Sequence, residues 1–376
     1  MDRTVRIAVV GAGLGGLTVA GFLQRAGFPV MVYEQAPAFS RIGAGIILSA
    51  NATKALRPLG VERALIETGI KPDCYISRAW NTGETMYEIY FDAASEERYG
   101  GSYLNIHRGD LHDILAHVVS PGTIEFNHQL VGLEQAGGTY RLVFGNGTNA
   151  QADVIIGADG IRSKVRDVLL GEQPPRFAKA VAHRAIYPSK RLGGFKIPDC
   201  TKWWGPDRHA LPYFMTNKRD EIYVIGVVPA SEWSDNAASR PSSREAFMAD
   251  FAGFHQDFQR VLDGIEEVSV WPIFDRERDD RWTGDHIVLL GDACHPVPPY
   301  MAAGGAMAIE DGAILSRCLE RFDDPAEAFR WYAATRIPRV AEVQRISLEN
   351  SWMRGPTETD WFYCYDPCVA ELTSPN

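Results

Sequence analysis

An α/β fold, in which a strand–turn–helix layer is interrupted twice by β-rich blocks and closed by C-terminal helices, is what this sequence predicts. Three observations predict it. A short apolar run, "VRIAVV", leads straight into "GAGLGG" at 11–16 and then into helical spacing over 14–26. Two blocks, 74–91 and 178–230, switch to the alternation and turn residues of β-sheet. Helical spacing returns over 243–263 and 326–352.

Taken in order, residues 5–10 and "VMVYE" at 30–34 read as buried strands, with the 14–26 helix between them. "RIGAGIIL" at 41–48 is an edge or loop, and 51–68 is helical. In "DCYISRAWNTGETMYEIYF" two β-rich runs flank the turn "NTGE", a hairpin. Residues 107–119 return to helix, with Asp110 near its start. A second hairpin turns at "GNGT", and "ADVIIGADG" is a buried strand running into a glycine turn. "HIVLLGDACHPVPPYMAAGGAMAIEDGA" is strand, proline-rich loop, then helix, and the last helix carries Pro338 as a kink site. The predicted division is a discontinuous nucleotide layer (1–73, 101–177 and 268–376) and a substrate-binding β-sheet domain (74–100 and 178–267).

Composition excludes several classes. The 376 residues are 45% hydrophobic and 23% charged, an ordinary globular balance. Lys+Arg 38 against Asp+Glu 48 gives a net charge of -10, which argues against a nucleic-acid surface. The apolar runs fall far short of the ~20 residues of a spanning helix, so no membrane is expected. The first strand begins at Val5, leaving no room for a signal peptide, and a cytoplasmic protein is expected. Of six cysteines only Cys364 and Cys368 are close in sequence, with no second pair, so free thiols and no metal are expected. A monomer and a homodimer both fit.

In a strand–turn–helix of Rossmann type, Gly11 permits the tight turn, Gly13 lets backbone approach a pyrophosphate, and Gly16 lets the helix lie on the strand. Leu14 opens the helix, whose N-terminal N–H groups favour phosphate. Glu34, followed by Gln35, stands at the end of the next strand, where a carboxylate accepts from ribose hydroxyls. The turn by itself does not separate a nicotinamide from a flavin dinucleotide.

"GADGIRSKVR" at 157–166 and "GDACHPVPPYMAAGGAMAIEDGA" at 291–313 resemble two motifs of the class A flavoprotein aromatic hydroxylases, and the resemblance covers almost the whole chain. It implies a para-hydroxybenzoate hydroxylase-like fold with a Rossmann-type FAD-binding layer, an inserted β-sheet substrate domain and C-terminal helices. It also implies roles. Asp159 and Arg166 would link flavin and nicotinamide contacts, Asp292 would bind the ribityl or pyrophosphate part of FAD, and Pro299 would shape the loop over the isoalloxazine. The helix after Gly304 and Gly305 would support negative charge on reduced flavin, and Arg41 and Arg108 fit the family's arginines near the flavin. Taken singly, the arginines also read as surface charges and Asp159 as a helix cap.

"DRHALPYF" at 207–214 places His209 and Tyr213 four apart, on one face of a strand. Spacing alone favours a His and a Tyr satisfied within a sheet. The resemblance reverses this, because the family's pyridine-carboxylate branch uses a His and a Tyr at these positions, as catalytic groups that orient a carboxylate and relay a proton. That branch has histidines where this chain has Ile47 and Tyr300, and a glutamine where it has Ala303; Ile47, Tyr300 and Cys200 are expected beside the substrate. Trp203, Trp204, Phe214 and Met215 line a ring pocket or form sheet core, and at least one tryptophan must face away.

The resemblance therefore implies a monooxygenase using FAD, O2 and NADH or NADPH on a small aromatic acid. A C4a-hydroperoxyflavin would hydroxylate, decarboxylatively, a hydroxylated pyridine or benzene carboxylate such as 6-hydroxynicotinate. Alternatives are a non-decarboxylating hydroxylase of a hydroxy- or aminobenzoate, a non-oxygenating FAD oxidoreductase, and a silent FAD-binding sensor.

Overall fold

A computed structural model of the protein describes residues 1–41, 44–233 and 237–375. Ile42 and Gly43, inside the expected "RIGAGIIL" edge, lie outside the described residues, and Gly45–Leu48 after them is a strand paired with Leu104–His107.

The apolar runs build a parallel five-stranded sheet. Ile7–Val10 lies at its centre, between Val154–Gly157 on one side and Val30–Tyr33 on the other, and Ile287–Leu289 and Ile124–Glu125 form the edges. The helices Leu14–Arg25 and Gly304–Arg321 pack against each other over this layer, through Gly312 lying on Thr18 and Val19. Both β-rich blocks join one eight-stranded sheet. The hairpin Cys74–Ala79/Thr85–Tyr90 adds to it through a parallel pairing with Cys200–Trp204, followed by His209–Phe214, Glu221–Pro229 and Arg176–Pro188. The strand Val268–Asp275, expected with the nucleotide layer, is hydrogen-bonded into this sheet beside Arg176–Pro188.

Alternation gives the large sheet two working faces. Ala210, Phe214 and Trp203 point into a core of Phe247, Phe251, Phe254 and Phe258. His209, Leu211 and Tyr213 point the other way, toward the nucleotide layer. The helical spacing over 243–263 resolves into two helices, Arg244–Asp250 and Gln256–Asp263, because Gly253 between them takes φ +83°. The 51–68 stretch is likewise broken into Ala50–Leu56, a 3-10 turn Arg57–Leu59 and Glu62–Thr68. The expected "GNGT" hairpin gains a third strand, Leu130–Ala136. Helix Pro325–Glu349 starts where Asp324 accepts from the Ala326 N–H at 3.1 Å, and Pro338 lies in its interior. No helix is long and apolar enough to cross a membrane among the described residues.

A charged cluster lies inside the helical layer. Arg336, fully buried, donates to Glu310 Oε2 at 2.6 Å and to Asp311 Oδ1 at 2.7 Å. Arg339 donates to both oxygens of Glu310 at 2.8 Å, and Asn51 adds a 2.6 Å bond. Asp311 Oδ2 accepts from the Gly291 N–H at 2.9 Å and from His295 Nε2 at 2.5 Å. The acidic pair of "MAIED" therefore holds the "GD" loop against the last long helix.

Candidate active site

An open cavity lies between the two sheets. The glycine turn forms one wall, and its three glycines differ in what they exclude. Gly11 has φ +100°, and a Cβ there would sit 2.4 Å from the Ala158 carbonyl oxygen; at Gly16 it would sit 2.0 Å from the Gly11 carbonyl oxygen. At Gly13 a Cβ would meet nothing within 4 Å. Gly13 is small for the sake of the cavity, not of the fold.

Two helix N-termini reach this cavity. Gly13, Leu14 and Gly15 open one, and Gly304 and Gly305 open the other. Their N-cap residues, Gly13 and Ala303, offer no side-chain acceptor, so the first-turn N–H groups and positive dipole ends are left for an anionic ligand. Asp292, Arg108 and Pro299 line the same cavity. The cavity keeps the Asp292 carboxylate open to water, while the protein packed around it raises its pKa.

Other residues singled out from sequence do not line this cavity. Glu34 accepts from the Ala12 N–H at 2.9 Å and from the Ala36 N–H at 2.8 Å, bracing the glycine turn, and Gln35 beside it is exposed. Asp159 accepts from Ser163 Oγ at 2.5 Å and from the Lys164 N–H at 2.7 Å, at the start of helix Lys164–Leu170. Arg166, 1% exposed, has Nη2 3.5 Å from Asp279. Arg41 joins Asp110 of the nucleotide layer to Glu221 of the large sheet, each at 2.6 Å.

A narrower cavity adjoins the first, and Ile47, Leu211, Ile225, Pro299 and Ala302 line both. His209 and Tyr300 line the narrow one, their rings edge to face at 5.4 Å. Burial, reinforced by nearby Lys202, holds the His209 pKa well below the usual histidine range, so its ring is neutral. Asn350 Nδ2 donates to its Nδ1 at 3.4 Å. Tyr213 lines the large cavity, against the Gly45 backbone; burial keeps its phenol protonated well above the ordinary range. The two expected catalytic groups thus share a strand face, but approach from opposite sides of the shared wall. Cys200 is fully buried and lines neither cavity. Trp203 faces the second core, whereas Trp204 lies under the Lys202 ammonium.

Sequence reasoning missed Arg184, Tyr223 and Lys202. Arg184 and Tyr223 line the large cavity, and the Arg184 Nε is buried without a partner. Lys202 lines the narrow one. The available signal was strand parity: Lys202 alternates with Trp203, and Tyr223 pairs across from Tyr213.

Fold and site together define a flavoprotein monooxygenase of the class A aromatic hydroxylase type. The chain belongs to the FAD binding domain family, whose model matches residues 4–345. It is 43% identical over 369 residues to the 6-hydroxynicotinate 3-monooxygenase of Bordetella bronchiseptica, covering 97% of this chain and 96% of that one. Identity to the 3-amino-4-hydroxybenzoate 2-monooxygenase of Streptomyces cremeus is 37% over 367 residues, covering 96% and 91%. A solved salicylate hydroxylase substrate complex shares the fold, with a TM-score of 0.83, 21% identity and coverage of 98% and 97%.

The residues present fit FAD. Gly13 leaves room for a pyrophosphate, two uncapped helix ends face its negative charge, and the Asp292 carboxylate is open to a polyol chain.

Proposed function

We propose that the protein is a cytoplasmic FAD-dependent hydroxylase that inserts one oxygen atom of O2 into a hydroxylated aromatic or pyridine carboxylate, with loss of the carboxylate when the attacked carbon bears it. The observation that carries this reading is the narrow cavity that presents His209 and shares a wall with the cofactor cavity. FAD, once reduced by NADH or NADPH, supplies the activated oxygen; the second oxygen atom leaves as water. The six free thiols support a reducing compartment.

The chain's own groups position the ring and manage its proton. His209 faces the narrow cavity and Tyr213 the large one, so a ring in the narrow cavity meets His209 directly and Tyr213 across the shared wall. Neutral His209 is placed to accept a proton from the ring hydroxyl, which raises the ring's electron density. Tyr213, its phenol protonated, donates from the cofactor side. Ile225, Leu211 and Ile47 give the ring an apolar, water-poor surround.

The second reading, a non-decarboxylating hydroxylase of a hydroxy- or aminobenzoate, is favoured by Ile47. Its apolar side chain, 5% exposed, offers no hydrogen bond to a pyridone or ring nitrogen. Sites built to hydrogen-bond a substrate group reject analogues lacking it far more strongly than apolar sites discriminate methylenes.

The test is a panel of pyridine and benzene carboxylates, including 6-hydroxynicotinate and 3-amino-4-hydroxybenzoate, scored by substrate-stimulated NAD(P)H oxidation, O2 uptake, product mass and CO2. One acid should give a product heavier by one oxygen, or the matching product less CO2. NAD(P)H oxidation without O2 uptake and with no added oxygen atom in any product would overturn the reading in favour of a dehydrogenase. His209→Ala and Tyr213→Phe should each lower turnover by about 10²- to 10⁴-fold while flavin content stays within twofold. Equal loss of flavin and turnover would show that these residues hold the fold instead.

A further inference from the structure

We propose that Lys202 is the anion anchor of the narrow cavity, its ammonium receiving the carboxylate of the aromatic substrate. The inference rests on the hydroxylase reading above and names the group that selects an acid over its neutral analogue.

An ammonium carries three N–H donors and no acceptor. Lys202 is 3% exposed, yet among the described residues only one acceptor meets its donors, the Tyr300 carbonyl oxygen at 2.9 Å. Its Nζ lies 3.8 Å from the centre of the Trp204 ring. No carboxylate among the described residues pairs with it. The other buried lysine shows what satisfaction looks like: Lys54 donates to the carbonyls of Tyr99, Tyr363 and Cys364 at 2.6, 3.0 and 2.8 Å. Of the buried arginines, Arg336 has two carboxylates, and Arg166, whose Nε and Nη1 are unpartnered, has Asp279 3.5 Å from its Nη2 and lines neither cavity. Of these four, Lys202 is the one that keeps spare donors in the cavity that holds His209.

The setting strengthens the case. A buried charge without a counter-ion is costly, and a cavity that imports the counter-ion with its substrate converts that cost into selectivity. Burial, aided by the charge of Arg354, brings the Lys202 pKa down to about 7, so near neutral pH the amine is only partly protonated until an arriving carboxylate holds the proton on it. Ile47, an apolar side chain, lines the same cavity. With no polar group at that position, the anion-binding duty falls on the sheet side, and Lys202 is the cation there.

The experiment uses the FAD-loaded protein and two acid–amide pairs: 6-hydroxynicotinate with 6-hydroxynicotinamide, and 3-hydroxybenzoate with 3-hydroxybenzamide. Binding is read from perturbation of flavin absorbance. The unaltered protein should bind the better acid about 10- to 150-fold more tightly than its amide, the range of a charge-assisted hydrogen bond. Lys202→Met, similar in length and apolar, should bind acid and amide within about threefold of each other, with flavin content and Tm retained. Lys202→Arg should recover part of the preference. If Lys202→Met keeps the acid preference, or loses acid and amide in equal measure, the anchor is overturned and Lys202 merely props the Tyr300 loop. If the unaltered protein prefers the amide, or binds neither member of either pair, the anchor fails as well. Failure to bind either pair, joined to silence in the turnover panel, marks the collapse of the hydroxylase reading itself.

Discussion

Gly13→Val should yield a folded, colourless protein, whereas Gly16→Ala should yield little folded protein at all. The two positions lie three residues apart in one turn, and their surroundings decide the difference. A Cβ at Gly16 would sit 2.0 Å from the Gly11 carbonyl oxygen, a backbone atom that cannot move without breaking the strand–helix junction. Overpacking of this kind costs ~1–3 kcal/mol when side chains can yield, and more when backbone must. Gly13 has no protein atom within 4 Å of its virtual Cβ, so a branched side chain projects into the cavity and meets only the ligand. The expected result is near-native circular dichroism and at least a hundredfold loss of FAD affinity, on the order of 3 kcal/mol. Full yellow occupancy of Gly13→Val would mean that the pyrophosphate does not lie on this turn.

The second large effect belongs to the buried ion cluster. Arg336→Met should lower stability by about 3–5 kcal/mol, because breaking a buried pair strands the remaining charges. For a chain of 376 residues that corresponds to a Tm lower by about 4–6 °C. Arg345→Met is the control: its pairs with Glu342 and Glu349 sit about half exposed, and such surface pairs contribute ~0–1 kcal/mol. The same cluster sets an acid limit. Burial alone would raise the Asp311 pKa, but His295 and Arg336 bring it down to about 2 from an ordinary 3.8. Its contribution is therefore complete above pH about 4 and lost as pH falls toward 2. Asp311 also raises the His295 pKa well above 6.5 against the effect of burial, so that contribution is complete below 6.5 and fades only as pH climbs past the raised value. Urea midpoints measured from pH 2 to 9 should show a steep acid arm that is shallower in Arg336→Met, where His295 still holds Asp311.

How much of this was legible beforehand follows from how local each signal is. The glycine turn carries its geometry within six residues, and Gly11, Gly13 and Gly16 differ as their positions imply. The second motif loop was legible for the same reason, with Asp292, Pro299, Gly304 and Gly305 all lining the cavity, whereas Asp159 and Arg166 of the first do not. Strand parity placed His209 and Tyr213 on one face, but not on the two sides of the shared wall, because that depends on where Ile47 and Ala302 arrive from other parts of the chain. Lys202 and Arg184 were missed because a cation within a strand reads as an edge residue until the covering layer is known. The strand Leu130–Ala136 was missed because its Gly132 and polar Glu134 and Gln135 dilute the alternation. The single helix expected over 243–263 overlooked what Gly253 does to a chain direction.

Ile47, Leu211, Ile225, Pro299 and Ala302 form a partition with one surface on each chamber. Such a party wall ties the two tenants together: a side chain trimmed to admit a bulkier guest also shifts the neighbour's bedding. Diversification is freer at positions that face the narrow chamber alone, such as Lys202 and Tyr300. Drift in guest choice without damage to the redox engine would be concentrated there.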